Sequence, residues 1–147
     1  MISASKPNAL RQLFGKLNVA IGVVHLPALP GSPGFEGGLE SVYETALRDA
    51  ERYAGGGIDG LIIENHGDIP FVKPADIGYE TVATMSVIAA HIQRATKLPI
   101  GINVLANAAL PALAVAQASG SQFIRVNQWA NAYVANEGFI EGEAAKA

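Results

Sequence analysis

The sequence contains no cysteine, which excludes disulfide bonds, a thiolate metal site and a cysteine nucleophile. Charge is also sparse, because Asp, Glu, Lys and Arg make up only 16% of the residues and the formal net charge is −3. The few basic residues are scattered, so the sequence offers no basic surface for nucleic acid or for an anionic membrane. No apolar run approaches the roughly 18 residues of a membrane helix. We therefore expect a cytoplasmic protein whose contact with any membrane is peripheral.

What the sequence does contain is a set of four apolar segments that each become polar at the same relative place. These segments are AIGVVHL, GLIIEN, IGINVL and FIRVN. The connections that lead into them are short, whereas the stretches that follow the first two, residues 25–38 and 64–78, are long and rich in Pro and Gly. Strands that alternate with helices in this way predict a parallel sheet. Its functional side chains are expected at the carboxyl ends of the strands.

Helical spacing of apolar residues predicts the layer that covers this sheet. Three helices are predicted between the strands: residues 39–53, which end before the glycines 55–57, a helix capped by Thr81 or Thr84 that ends at Thr96, and Pro111 to Ser119. Two further segments are predicted to be helical: residues 8–16, at the closed end of the sheet, and Glu141 to Ala147, as the beginning of a fourth helix. A complete (β/α)₈ barrel takes about 250 residues. We therefore predict an α/β protein with a parallel, TIM-barrel-like half-barrel, one partial domain over residues 1–147 that is apparently truncated after strand 4. A self-contained four-stranded doubly wound domain is the alternative.

Alternate residues of a strand point to opposite faces, which separates the strand residues into two sets. The wholly apolar set is expected to face the helices and consists of Val24, Leu61, Ile63, Ile102, Val104, Ile124 and Val126. The other set is apolar at first and polar at the end, as in a barrel interior that opens into a pocket, and consists of Val23, His25, Ile62, Glu64, Gly101, Asn103, Phe123, Arg125 and Asn127.

The polar strand ends and the loops beside them form the candidate site. We predict Glu64 and His25 as general base and acid, since a carboxylate in a pocket and an imidazole that titrates near neutrality suit these roles. The predicted substrate-binding residues are Asn65, His66, Asp68, Asn103, Asn107, Arg125 and Asn127. An alternative of similar weight is a buried ion pair between Glu64 and Arg125, which come from alternate strands and would hold the mouth of the barrel together.

Other readings of these residues remain open. Several nitrogen and oxygen donors could converge on a metal ion, but no HxH or HExxH spacing is present, so we predict hydrogen-bonded polar residues and no metal. The sequence names no cofactor. Trp129, Tyr133 and Phe139 could stack on a ligand or contact a partner, although packing at the rim is the more common role of such residues. The exposed edges of strands 1 and 4 predict pairing with a complementary half-barrel or with another copy of the chain.

Four blocks of the sequence resemble the BtpA/SgcQ family. They are GVVHLPALPGSPG from Gly22, GGGIDGLIIENHGDIPF from Gly55, LPIGINVLAN from Leu98, and FIRVNQW with the later EGFIEGEA. The resemblance implies a TIM-like barrel of about twice this length, grouped with phosphate-binding barrels. The function it implies first is that of a biogenesis or stability factor for photosystem I at the thylakoid, as for cyanobacterial members, and this is the function we predict. The alternative is an enzyme that acts on a small phosphorylated, sugar-like or nucleotide-like substrate, as considered for other bacterial members.

Overall fold

The computed structural model describes residues 7–147, which form four parallel strands alternating with helices. The elements in chain order are α1 (Ala9–Phe14), β1 (Ile21–His25), α2 (Leu39–Gly55), β2 (Gly60–Glu64), α3 (Tyr79–Thr96), β3 (Ile100–Asn103), α4 (Ala109–Ser119), β4 (Phe123–Ile124), β5 (Ala132–Ala135) and β6 (Gly138–Glu141). A short 3₁₀ helix, Pro74–Asp76, lies between β2 and α3. The main sheet has the order β1-β2-β3-β4 with every pair parallel, which confirms the predicted half-barrel arrangement.

The hydrophobic core lies between this sheet and helices α2, α3 and α4. The strand residues predicted to face the helices are part of it: Val24, Leu61, Ile63, Ile102 and Val104 are each at most 1% exposed. Ile124 is half-buried and packs against the same core. The alternation of side chains along the strands therefore predicted correctly which face of the sheet packs on the helices. Val126 lies beyond the end of β4 and is not part of this core.

The opposite face of the sheet is concave and carries no helix among the described residues. Val23 and Phe123 are only half-buried there. Grooves border the two outer strands at the edges of the sheet, one of about 460 Å³ between β1 and α2 and one of about 500 Å³ between β4 and α4. The first is lined by Val23, His25, Asp49, Arg52 and Tyr53, and the second by Leu113, Ala116, Gln117 and residues 121–124. In a complete barrel, further βα units would occupy these positions.

Helix α1 covers the amino end of the sheet, as predicted for residues 8–16. Its residue Phe14 packs where Gly60 begins β2 and meets Phe123 edge-to-face, with ring centroids 6.1 Å apart. Phe123 in turn lies across Gly101 of β3, so closely that a Cβ atom at position 101 would overlap its ring. Gly101 is therefore required by the large side chain on the neighbouring strand.

Three sequence predictions about the elements were wrong in detail. Helix α3 begins at Tyr79 after Gly78, so neither Thr81 nor Thr84 caps it; both are buried within the helix instead. Strand β4 has two residues rather than five, although the Arg125 amide still donates to the Ile102 carbonyl at 2.9 Å. The segment from Glu141 to Ala147 does not begin a helix.

The chain after β4 forms an antiparallel hairpin of β5 and β6, which the sequence did not predict. Tyr133 pairs with Ile140 and Val134 pairs with Phe139 across the hairpin. Ile140 is buried, whereas Val134 and Phe139 are 80% and 58% exposed, so one face of the hairpin packs on the protein and the other faces outward. Within residues 7–147, no helix combines the length and the apolar character that crossing a membrane demands.

Candidate functional site

The parallel register brings the polar strand ends side by side. His25, Glu64 and Asn103 are aligned residues of β1, β2 and β3, and Arg125 directly follows β4. All four side chains belong to the set predicted to face the barrel interior. We call these four residues the Glu64 cluster.

Glu64 is the centre of this cluster and is only 7% exposed. Its Oε2 accepts hydrogen bonds from Asn103 Nδ2 at 2.5 Å and from Arg125 Nη1 at 3.2 Å. Its Oε1 lies 3.6 Å from His25 Nε2. The ion pair with Arg125 is therefore present, but the Arg125 side chain is 50% exposed, so the pair is only partly buried.

Asn103 has an acceptor that no protein group uses. The residue is fully buried, and its amide nitrogen is engaged by Glu64. Its Oδ1 is also buried and has no hydrogen-bond partner among the described residues. Leaving a buried carbonyl without a donor costs roughly 1–3 kcal/mol, so this oxygen favours a bound hydroxyl or a water molecule.

His25 forms one side of an aromatic stack at the edge of the cluster. Its ring stacks on that of His66, with centroids 4.4 Å apart and an angle of 27° between the ring planes, and His66 meets Phe71 edge-to-face at 6.5 Å. The His25 side chain is 55% exposed. The cluster thus contains a buried carboxylate in contact with an imidazole that reaches solvent. Phe71, in the loop after β2, was not among the predicted site residues.

Asn65 and Asp68 are bonded to each other and to two neighbouring loops. Asn65 Nδ2 donates to Asp68 Oδ2 at 2.9 Å, and Asn65 Oδ1 accepts from the Leu105 amide at 2.7 Å. Asp68 Oδ1 accepts from the Leu29 amide at 2.7 Å. Burial raises the pKa of the Asp68 carboxyl above its ordinary value, and the hydrogen bonds from Leu29 and Asn65 oppose that rise.

Asn107 and Asn127 were also predicted to bind substrate, and the structure places them differently. Asn107 is fully buried; its Nδ2 donates to the Glu141 carbonyl and its Oδ1 accepts from the Gln128 amide, which fastens the hairpin to the loop after β3. Asn127 is exposed beyond β4 and makes no side-chain hydrogen bond within residues 7–147. Neither side chain bonds to the Glu64 cluster.

The aromatic residues after β4 are on or beside the hairpin. Trp129 is 49% exposed and Phe139 is 58% exposed, while Tyr133 is half-buried. Phe139 lines a groove of about 510 Å³ together with Leu110, Pro111 and Pro74. Among the described residues, no three His, Asp or Glu side chains are arranged to hold a metal ion.

A parallel sheet in the order β1-β2-β3-β4, with helices α2, α3 and α4 packed on one face and polar side chains at the carboxyl ends of the strands, is the arrangement of a barrel-type α/β protein. The sequence profile of the BtpA family matches residues 16–147, and the chain belongs to that family. The family has a TIM-barrel-like fold, in agreement with the four parallel strands described above.

Relatives with similar sequences come from a bacterium, from archaea and from an animal. The photosystem I biogenesis protein BtpA of Synechocystis is 43% identical over 135 residues, which cover 92% of this chain and 47% of that protein. An uncharacterized protein of Archaeoglobus fulgidus is 49% identical over 124 residues, covering 84% of this chain and 49% of its own length. An uncharacterized protein of Pyrococcus horikoshii is 45% identical over 122 residues, with coverages of 83% and 46%. The chain thus spans about half the length of these relatives. No solved structure matches it.

Proposed function

We propose that the Glu64 cluster is the acid–base centre of a barrel-type enzyme that acts on a small phosphorylated, sugar-like or nucleotide-like substrate. One observation carries this proposal: the two oxygens of the Glu64 carboxylate have different surroundings. Oε2 is held by Asn103 and Arg125, whereas Oε1 faces the exposed ring of His25. A carboxylate oriented through one oxygen keeps the other available for a proton, which is what a general base needs.

The neighbours of Glu64 supply the remaining roles in this proposal. His25 exchanges the proton with solvent, because its imidazole is more than half exposed and its ring nitrogens can both accept and donate a proton. The half-exposed side chain of Arg125 binds a phosphate or carboxylate group of the substrate. Asn103 orients the carboxylate, because its Nδ2 donates a hydrogen bond to Glu64 Oε2.

Proton transfer at carbon can be detected without knowing the substrate in advance. We expect that the chain, incubated in D₂O with a panel of sugar phosphates and nucleotides, replaces one carbon-bound hydrogen of its substrate by deuterium. The measurement is the loss of the corresponding ¹H NMR signal with time. His25→Gln should slow this exchange, whereas Arg94→Gln, at an exposed position of α3, should leave it unchanged. Equal exchange with and without the chain for every compound would contradict the proposal for these substrate classes.

A second function is favoured by the sequence relatives rather than by the site. The Synechocystis relative is described as a photosystem I biogenesis protein and aligns with 92% of this chain. We propose, as this second candidate, that the chain supports the biogenesis or stability of a photosynthetic membrane complex, photosystem I in particular. In this role it would act from the cytoplasm and contact the thylakoid membrane peripherally.

A chimeric protein tests the biogenesis function. In the chimera, this chain replaces the segment of Synechocystis BtpA with which it aligns. We expect the chimera to restore photosystem I when it is expressed in a strain that lacks BtpA. The measurement is the light-induced P700 absorbance change per chlorophyll, with intact BtpA as the positive control. A chimera that accumulates to the level of BtpA but leaves P700 at the level of the deletion strain would contradict this function. Including Glu64→Gln in the chimera shows whether biogenesis depends on the same carboxylate.

The half-barrel that carries the proposed site leaves the edges of β1 and β4 unpaired within residues 7–147. The concave face is open, and the grooves beside β1 and β4 are where neighbouring βα units of a closed barrel would lie. We propose that a second copy of the chain or a complementary half-barrel pairs with these two edges. Parallel strands permit this closure. β4 of one copy can form hydrogen bonds with β1 of the other copy, and the two strands then run in the same direction, as neighbouring strands of a barrel do.

A further inference from the structure

We infer that Asn65 and Asp68, called here the Asn65–Asp68 pair, are positioning residues that fix the three loops after β1, β2 and β3 relative to one another. The sequence suggested that both side chains bind substrate. Their hydrogen bonds are instead made to backbone amides on both neighbouring loops. The inference rests on the proposed function only in that these loops surround the Glu64 cluster.

The geometry of the pair spans the carboxyl end of the sheet. Asn65 immediately follows β2 and is 1% exposed. Through Oδ1 it holds Leu105 in the loop between β3 and α4, and through Nδ2 it holds Asp68. Asp68 holds Leu29 in the loop between β1 and α2. Two side chains three residues apart therefore connect segments that lie about forty positions away on either side.

Backbone contacts place the pair next to the catalytic candidates. The Gly67 amide donates to the Leu26 carbonyl at 3.0 Å, and a Cβ atom at Gly67 would overlap the backbone of the loop after β1. Residues 65–68 are thus pressed directly against the segment that follows His25. His66 lies between the two members of the pair and stacks on His25. A displacement of the pair would therefore move His66 away from the Glu64 cluster.

The hydrogen-bonding capacity of the two side chains makes the pair chemically specific. Asp68 receives two donors, the Leu29 amide and Asn65 Nδ2, and a carboxylate accepts both. Asparagine at position 68 has a single acceptor oxygen, so one of the three hydrogen bonds of the pair must be lost. The exchanged pair, Asn65→Asp with Asp68→Asn, can make all three again: aspartate at 65 accepts from Leu105 and from the new amide, whose oxygen accepts from Leu29.

Amide hydrogen exchange measured by NMR tests this inference. We expect Asp68→Asn to accelerate exchange at the Leu29 or Leu105 amide by about tenfold or more, as for the loss of a hydrogen bond to a charged group. The His25 and His66 ring resonances should shift in the same variant, because their stack is disturbed. The exchanged double variant should return both amides towards wild-type protection, whereas Asn65→Asp alone, which opposes two carboxylates, should not.

The controls separate positioning from general stability and from the proposed function. Amides in β2 and β3 should keep their wild-type exchange in Asp68→Asn; if they loosen as much as the loops, the pair is a general stabilising contact and the inference is wrong. Unchanged protection at both Leu29 and Leu105, or a double variant no better protected than Asp68→Asn, would also overturn it. None of these measurements depends on turnover. The positioning role of the pair can therefore be tested even if the chain shows no acid–base activity.

Discussion

Glu64→Gln is expected to reduce deuterium exchange into the substrate by about 10²–10⁴-fold, the usual contribution of a general base. Glutamine preserves the size of the side chain, and its oxygen can still accept the hydrogen bonds from Asn103 and Arg125. It cannot accept a proton at the atom that faces His25. The measurements are the exchange rate with saturating substrate and the melting temperature of the same samples.

The melting temperature distinguishes catalysis from a purely structural role. Arg125 is half exposed and remains solvated when its partner loses charge, so we expect Glu64→Gln to lower stability by no more than about 1 kcal/mol. If the ion pair is structural instead, Glu64→Gln should lower the melting temperature clearly, and Arg125→Met should restore much of it. Activity that survives in Glu64→Gln would contradict the base assignment, and unchanged melting together with unchanged activity would contradict both roles.

Glu143 provides a matched control for this variant. It is also a buried glutamate, 5% exposed, with a basic partner, Lys146, at 2.9 Å. It lies after the hairpin rather than in the Glu64 cluster. Glu143→Gln should therefore leave deuterium exchange unchanged, which would show that the loss in Glu64→Gln is not a general effect of neutralising a buried carboxylate.

Val23→Pro is expected to weaken the assembly of the chain by about 5- to 100-fold, since a buried carbonyl on the incoming strand that loses its donor costs about 1–3 kcal/mol. The Leu26 amide donates to the Glu64 carbonyl, and the Ala20 carbonyl accepts from the Asp59 amide. The backbone N–H and C=O groups of the even-numbered residues along β1 therefore point towards β2. By alternation, the backbone N–H of Val23 points to the free edge. Proline at this position removes that donor and obstructs an incoming strand while leaving the pairing of β1 with β2 in place.

Sedimentation of the chain at several concentrations measures this effect. We expect the wild-type chain to form an assembly of two copies and Val23→Pro to sediment as a monomer. Val23→Ala is the matched control, because it loses the same apolar side chain but keeps the N–H group, and it should still assemble. A wild-type chain that is monomeric at all concentrations and unfolds cooperatively would exclude pairing of a second copy at these edges.

The central contacts of the site could be predicted because they depend only on strand direction and alternation. In a parallel sheet, residues at corresponding positions lie side by side, so Glu64, Asn103 and Arg125 had to meet if each followed its strand with the same phase. The sequence also showed which face was apolar. The exposed fraction of the Arg125 side chain, 50%, could not be predicted. It depends on how much of the inner face of the sheet is covered by other parts of the protein.

The remaining contacts lacked a sequence signal for physical reasons. Asn65 and Asp68 bond to backbone amides, and any residue type can offer an amide, so nothing at Leu29 or Leu105 marks these positions as partners. The hairpin was missed because its two-residue connection is Asn136 and Glu137, which lacks the Asn-Gly or Asp-Gly pattern that usually indicates such a turn. Its attachment through Asn107 depends on the backbone of residues far along the chain.

The contact between Gly101 and Phe123 constrains the order in which this sequence can change during evolution. Because the ring of Phe123 occupies the space above Gly101, a side chain gained at position 101 requires that ring to leave its place beside Phe14. While the ring keeps this place, position 101 can diversify only after Phe123 has been replaced by a smaller residue. Glycine at 101 should therefore be inherited together with a large aromatic residue at 123.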